Sequence, residues 1–490
     1  MTRVVQDVQL TFGQTPINEI RFDPRSRDDI PQILQGLQYL YVTPCLQKAL
    51  FQTLHDMIPP DVNPDSGRRG MALWKIFVLG TLRVNLNWDY DRLHEMANTH
   101  TKIRQMLGHG LWDDAEQYCL QTLKDNLRLL TPTLLDKINK IVVEAGHSVV
   151  KKKEEKITLH GRCDSFVVET PVHYPTDINL LFDAMRHVIT LSAQLSTDSG
   201  ETDWRQHDYQ RRTLKRAFRL AQKTKRVHYK NTARQAAHET RVIAAYMDYL
   251  SLSQALLLKS EKTLKPLAEK GLMTSVAWRQ LQQFRQDAYR QIDQINRRVL
   301  KHEVIPHAEK VFSLYERYTE WVQKGKAKAP VELGLRVCVL EDQFGFLLHH
   351  RVLVHQTDSD VTVSMVKQTQ QRFANLRSCS FDKGFYSPAH RSALNALLDH
   401  VVLPKKGRLT QAEQVIVNEV NYQKRRRQHA AIESAINALE VHGLDRCLDR
   451  GIDGFERYIG LAIVARNIQQ LGALLRSRHR LKLCRKKIAA

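Results

Sequence analysis

The sequence lacks the features that mark membrane-spanning and disulfide-stabilised proteins. No run of about 18 apolar residues occurs, so we expect no membrane-spanning helix. The seven cysteines are scattered and form no Cys-x-x-Cys pair, which argues against a disulfide framework and a structural zinc site. The first residues have neither a long apolar core nor a small-residue cleavage site, so we expect no secretory signal. These absences predict a cytoplasmic protein with reduced thiols.

Acidic residues are scarce relative to basic ones. The 490 residues include 74 Lys and Arg against 52 Asp and Glu, which gives a formal net charge of +22. A protein this basic usually meets a polyanion, and we expect nucleic acid first and an anionic membrane surface second. Hydrophobic residues make up 42% of the chain, enough to build a real core, which argues against wholesale disorder.

The N-terminal part of the chain has a helical pattern. Apolar residues recur at three- and four-residue intervals over residues 28–145, which predicts an all-α domain over residues 1–150. Within it, an apolar helix, the turn NLNW and a polar helix follow one another, and Asp89 is the predicted N-cap of the second helix. This order is typical of a helix-turn-helix and also of an ordinary helical hairpin, and the pattern does not separate them.

The rest of the chain combines strands and helices with an inserted helical block. Strand-like and helical segments alternate in residues 151–176 and 329–490, which together predict one α/β domain. The turn residues DQFG (342–345) separate two apolar runs and predict a hairpin. Residues 177–328 have a helical pattern and predict a large basic helical insertion.

The inserted block contains a basic run with almost no acids. Ten Lys and Arg residues lie between Arg205 and Lys230, with Asp208 as the one acid among them. Such a run is most often the solvated face of a helix, but its single sign favours a surface that follows phosphates. The candidate DNA contacts in this run are Arg211, Arg212, Lys215 and Arg216.

Three acidic residues lie where carboxylates are expected to converge. Asp164 lies inside the strand-like segment ITLHGRCDSFVVET, where Asp is disfavoured. Asp382 ends a later strand before a Gly turn, and open α/β sheets place functional groups at such strand ends. Glu433 borders the apolar stripe of a helix. Together they would form an all-oxygen site for Mg²⁺ or Mn²⁺, and a pair of such ions can drive phosphoryl transfer.

An ordinary structural interpretation of the three acids stays open on spacing alone. The chain has 52 acids, so many sets of three can be drawn. In this interpretation Asp164 is a bulge or salt-bridge residue, Asp382 is a turn residue and Glu433 is a solvated helix residue.

Four segments of the chain carry a family resemblance. Three of them contain the acids, GRCDSFVVETPVHYPTD, SFDKGFYSP and HAAIESAINALEVHGLDRC, and the fourth is the N-terminal GRRGMALWKIFVLGTLRVNLNWDYDRLHEMANTHTKIRQML. In this order they resemble the three acidic blocks and the helical N-terminal region of bacterial insertion-sequence DDE transposases of the ISNCY-type group. The resemblance covers most of the chain.

The resemblance implies a fold and an activity. The fold would be a ribonuclease H-like catalytic domain over residues 151–176 and 329–490, preceded by a DNA-binding helical domain. Asp164, Asp382 and Glu433 would be the catalytic residues and would hold two Mg²⁺ ions, with Asp164 shared between them. The enzyme would hydrolyse the ends of its element and join the freed 3′-OH to target DNA. The expected partners are terminal inverted repeats, target DNA and further copies of this chain at the bacterial nucleoid, with no membrane partner.

The sequence departs from a signature of related transposases. A Tyr-Arg-Glu-Lys set surrounds the third acid in some of them, but Arg426 and His429 stand here at the Tyr and Arg positions. Arg426, Arg427 and His429 are therefore candidate phosphate contacts. For the Lys383 beside Asp382, a phosphate contact and an ordinary surface role both stay open. Two other functions stay open: a catalytically inactive or repurposed sequence-specific DNA-binding protein, and a metal-dependent nuclease.

Overall fold

A computed structural model shows the chain as two structural units. It describes residues 4–6, 13–58, 70–110, 117–151, 157–227, 229–269, 275–323 and 331–488. Unit 1 comprises Met1–Pro171 and Glu320–Ala490, and unit 2 comprises Val172–Thr319.

The described residues form one open mixed sheet in unit 1. Its strands are β1 Leu159–Glu169, β2 Glu320–Gln323, β3 Val331–Glu341, β4 Leu347–Leu353, β5 Leu376–Phe381 and β6 His400–Val402. The strand order is β2-β3-β1-β5-β6, and β4 also pairs with β3. Strand β1 is central, since it pairs antiparallel with β3 and parallel with β5. The predicted α/β class and the predicted hairpin, formed by β3 and β4, are both confirmed.

The α-helices surround this sheet in unit 1 and make up most of unit 2. In chain order they are α1 Asp29–Val42, α2 Pro44–His55, α3 Leu73–Asn85, α4 Tyr90–Thr99, α5 Thr101–Met106, α6 Leu120–Leu127, α7 Pro132–Val150, α8 Asp177–Asp198, α9 His207–Lys225, α10 Thr232–Glu269, α11 Val276–Ile295, α12 Asp358–Arg372, α13 Pro388–Asn395, α14 Gln411–Asn418, α15 Val420–His429, α16 Ala431–Leu439 and α17 Ile452–Ile488. Short 3₁₀ segments are Ile17–Glu19, His307–Glu309 and Lys383–Phe385, and π-helical turns are Asn296–Leu300 and Glu440–Leu444.

The N-terminal helices form a helical core that includes the C-terminal helix. Every residue of α3 except Lys75 is buried, whereas α4 buries Leu93 and Ala97. Asp89 caps α4 as predicted, because its side chain accepts a hydrogen bond from the backbone N–H of Arg92 at 2.7 Å. The long helix α17 packs against α1, α3 and α7. The N-terminal helices and the sheet therefore belong to the same unit.

Unit 2 is helical, and its boundary corrects one expectation. Helices α8 to α11 bury one apolar cluster that includes Trp204, whose Nε1–H donates to Thr263 Oγ1 at 2.8 Å. We expected the helical pattern to continue to residue 328, but Glu320–Gln323 is strand β2 and pairs with β3. The reason is that Trp321 and Val322 suit a strand, and the first residues of β3 offer them an unpaired edge.

Within the described ranges, no helix combines the length and apolar character needed to cross a membrane.

Candidate active site

The pairing of β1 with β5 places two of the predicted acids side by side. The parallel register ends with Cys163 opposite Phe381, so the next residues on the two strands are Asp164 and Asp382. Neighbouring strands lie about 4.8 Å apart, and side chains alternate between the two faces of a sheet. Cys163 and Phe381 are buried on one face. Asp164 and Asp382 therefore start on the opposite face.

That opposite face is polar and lies beneath α15 and α16. On this face β1 contributes His160, Arg162 and Asp164. Strand β5 and the residue after it contribute Ser378, Ser380 and Asp382. The two helices are separated by Ala430 alone and supply residues four apart, Arg425, His429 and Glu433. Arg425 Nη1 donates to Ser378 Oγ at 2.6 Å, and His429 Nδ1 is hydrogen-bonded to Ser380 Oγ at 2.9 Å.

The electrostatics of Asp164 show that the three predicted acids lie close together. The pKa of the Asp164 carboxyl is raised to about 6, chiefly by burial, and the negative charges of Asp382, Asp358 and Glu433 contribute to this rise. The Ser165 backbone N–H, which donates to Asp164 Oδ1 at 2.8 Å, opposes this rise. Asp382 and Glu433 are exposed, so the group is open to a substrate. The structure thus brings Asp164, Asp382 and Glu433 into one electrostatic cluster.

Asp358 is a fourth acid that the sequence did not single out. It is the first residue of α12, and its Oδ1 is buried without a hydrogen-bond partner among the described residues. Its Oδ2 would lie 3.4 Å from a Cβ built on Gly384, in the turn directly after Asp382. An acid in the first turn of a helix is common, because it complements the helix dipole. Because this role is so common, no sequence pattern pointed to a further role for Asp358.

The four carboxylates lack positive partners. Among the described residues, none of Asp164, Asp358, Asp382 and Glu433 has a Lys, Arg or His nitrogen within 4.0 Å. His429 is close enough for Asp382 and Glu433 to raise its pKa, but burial is the larger effect and lowers that pKa overall, which favours the neutral imidazole. Like charges held together without counter-ions repel one another. The cluster is therefore short of positive charge.

This donor set fits a hard divalent cation. Within the described ranges, no three His, Cys, Asp or Glu side chains are already arranged to hold a metal ion. The unpartnered Oδ1 of Asp358 and the uncompensated carboxylates around Asp164 are nevertheless the oxygen ligands that Mg²⁺ and Mn²⁺ prefer. A bound cation would supply the positive charge that the cluster lacks.

The predicted phosphate contacts lie in both units. In unit 1, Lys383 is exposed directly after Asp382, Arg426 and Arg427 are exposed on α15, and His429 is half-buried against Ser380. In unit 2, helix α9 exposes all four predicted basic residues: Arg211, Arg212, Lys215 and Arg216. Of these, Arg211 is paired with Asp208 at 2.8 Å.

Comparison with known proteins identifies no relative of this chain. No protein-family model, no curated protein and no solved structure matches it.

Proposed function

We propose that this chain is a DNA transposase of an insertion sequence, with a ribonuclease H-like catalytic domain that carries out metal-dependent phosphoryl transfer. The observation that carries the proposal is the convergence of Asp164, Asp382 and Glu433. They come from a central strand, from the end of its parallel neighbour and from a helix over the same face. These are the acids of the three segments that resemble the transposase blocks.

The acids have distinct roles in the proposed reaction. Mg²⁺ or Mn²⁺, when bound, activates an attacking oxygen and stabilises a leaving oxygen. As the resemblance implies, Asp164 would supply a carboxylate to both ions, and Asp382 and Glu433 would each hold one. Asp358 would add a further oxygen ligand, for which its unpartnered Oδ1 is the supporting observation.

The reaction has two steps on DNA. Water first attacks the phosphodiester at the element end, and the bond to the 3′-oxygen breaks, which leaves a 3′-OH and a 5′-phosphate. The 3′-OH then attacks a phosphodiester of the target DNA, and a target 3′-OH leaves. The N-terminal helical region would hold the terminal inverted repeats, and several copies of the chain would assemble on the DNA at the bacterial nucleoid. The net charge of +22 supports a DNA partner.

A mobility assay in cells tests this function. The protein is supplied beside a marked copy of its parent element, and movement is compared among wild type, Asp164→Asn, Asp382→Asn and Glu433→Gln. The matched control is Asp399→Asn, which removes an exposed charge outside the cluster. We expect movement with wild type and control and none with the three variants.

The other outcomes separate the alternatives. Movement that survives all three substitutions contradicts the assignment of the acids. End binding by a wild type that never moves the element indicates a DNA-binding protein without catalytic activity, and cutting without joining indicates a nuclease.

A further inference from the structure

A cavity lies on the same polar face of the sheet, next to the acids. Its volume is about 120 Å³, and the residues that define its chemistry are His160, Arg162, Ser378, Ser380, Arg425 and Gln428. Its strand residues precede Asp164 and Asp382 by two to four positions on β1 and β5. At a rise of about 3.3 Å per residue, the cavity is roughly 7–13 Å from the acids along the strands.

Arg425 brings an unpaired positive charge to this cavity. Its Nη1 donates to Ser378 Oγ at 2.6 Å and lies 3.1 Å from His160 Nδ1. No carboxylate of the described residues lies within 4.0 Å of its guanidinium, and the side chain is half-buried. A partly desolvated charge without a partner is costly. An anion in the cavity would remove that cost.

The remaining polar residues of the cavity offer hydrogen-bond donors to a ligand rather than a second unpaired positive charge. Arg162 pairs with Glu341 at 2.8 Å, yet its Nε is buried without a hydrogen-bond partner among the described residues. Ser378 and Ser380 contribute hydroxyl groups. A guanidinium fork with nearby hydroxyls is the donor pattern that proteins use for phosphate, which accepts several hydrogen bonds at once.

We propose that the cavity centred on Arg425 binds a backbone phosphate of the DNA strand that reacts at the acids. The identity of the ligand as DNA rests on the proposed function, whereas the phosphate chemistry rests on the cavity. The distance of roughly 7–13 Å between the cavity and the acids corresponds to about two to four nucleotides, at a rise of about 3.4 Å per nucleotide along the DNA axis. Arg425 thereby fixes the register of the DNA strand, whereas its exposed neighbours Arg426 and Arg427 do not line the cavity.

Two substitutions with a matched control test the role of Arg425 in binding. Arg425→Gln removes the charge, Arg425→Lys keeps the charge without the fork, and Lys424→Gln removes an adjacent exposed charge. Binding to a mixed-sequence duplex is measured by fluorescence anisotropy over a range of salt, with EDTA present so that no cleavage occurs. We expect Arg425→Gln to bind about tenfold more weakly, Arg425→Lys to bind at an intermediate level and Lys424→Gln to stay within about twofold of wild type.

A second measurement locates the phosphate at the cavity. Phenylglyoxal modifies accessible guanidinium groups, and mass spectrometry reports the modified fraction of Arg425 with and without the duplex. We expect the duplex to protect Arg425. Protection by inorganic phosphate but not by the duplex would assign the cavity to a free phosphate and overturn the DNA proposal.

The outcome for the cavity is separable from that for the proposed function. If Arg425→Gln binds no more weakly than Lys424→Gln and the duplex leaves Arg425 unprotected, the subsite is wrong, even where cleavage depends on the acids. If the Arg425 effects appear while the acids prove dispensable for cleavage, the subsite stands and the transposase proposal fails.

Discussion

At the residue scale, the proposed site consists of carboxylates that are held together without counter-ions. Asp164 is the most affected, because it is partly buried and faces three further acids. Its position inside a strand was visible in the sequence, and so was the position of Asp382 at a strand end. Asp358 and Arg425 were not visible. Whether a side chain at a helix start, or in the basic run of α15, turns towards a sheet depends on tertiary packing rather than on local pattern.

Removing the Asp164 charge should stabilise the metal-free protein. The pKa of this carboxyl is about 6 in the folded protein and about 4 in the unfolded chain, so the free energy of unfolding falls as the pH rises from about 4 to about 6. We expect Asp164→Asn to increase the free energy of unfolding at pH 8 by about 1–3 kcal/mol, and this gain should disappear below about pH 4, where the acid is protonated in both states. Urea unfolding in EDTA measures it.

The control for this prediction is Asp399→Asn, whose carboxyl is exposed and outside the cluster. A gain equal to that of Asp399→Asn, or one independent of pH, would contradict the proposed repulsion at Asp164.

Asp358 should contribute to metal binding. Because its Oδ1 has no hydrogen-bond partner among the described residues, it is available as a ligand oxygen. We expect Asp358→Asn to weaken Mn²⁺ binding about tenfold, within the range seen when groups around a metal site are removed. Electron paramagnetic resonance of free Mn²⁺ measures the affinity. An affinity equal to that of wild type and of Asp399→Asn would leave Asp358 with a structural role alone.

At the element scale, close contact between α1 and α17 joins the two ends of the chain within unit 1. A Cβ at Gly472 would lie 2.0 Å from the backbone oxygen of Gln32, and a Cβ at Gly36 would lie 2.3 Å from that of Ile468. Only glycine allows backbones to approach so closely. The partner of α17 lies more than four hundred residues away in the sequence, and no local pattern specifies such a pairing.

The glycine contact gives a stability prediction with an internal control. Gly472→Ala should lower the free energy of unfolding by about 1–3 kcal/mol, because backbone must move to admit the methyl group. Gly460 lies in the same helix, and a Cβ there would meet its nearest atom at 3.4 Å. Gly460→Ala should therefore be neutral or slightly stabilising through helix propensity. Equal effects of the two substitutions in urea unfolding would contradict the close approach.

Strand β2 shows where sequence patterns fail at the element scale. With four residues, β2 is too short to show the alternation of apolar and polar residues that marks a strand, and it adjoins a long helical segment. They become a strand because the edge of β3 is available. In contrast, β1, β3, β4 and β5 combine apolar runs with turn residues, and the sequence located each of them.

At the scale of the whole molecule, the excess of positive charge favours DNA as the partner. Helix α9 in unit 2 carries the four exposed basic residues that the sequence predicted. The logarithm of the DNA-binding constant falls with the logarithm of the salt concentration, and each phosphate contact that is lost should make this slope about 0.9 less steep. Exposure alone does not identify a DNA-binding surface, so the salt dependence is the discriminating observation.

Replacing the α9 residues together should weaken DNA binding and its salt dependence. For a mixed-sequence duplex, we expect the magnitude of the salt-dependence slope to decrease by roughly 2–4 when four residues are changed to Gln: Arg211, Arg212, Lys215 and Arg216. An equal-charge control in the same unit replaces four other exposed basic residues: Arg279, Arg290, Lys301 and Lys310. Equal losses in the two quadruple variants would mean that α9 acts through net charge alone.

We propose that Asp164, Asp382 and Glu433 together form one metal-dependent catalytic site. The most direct test uses purified protein and DNA carrying the ends of its parent element, with Mg²⁺ or Mn²⁺ added, and follows strand cleavage and joining on sequencing gels. We predict cleavage and joining by wild type and by Asp399→Asn, and neither by Asp164→Asn, Asp382→Asn or Glu433→Gln, all of which still bind the DNA. Undiminished cleavage by any of the three variants would contradict the account.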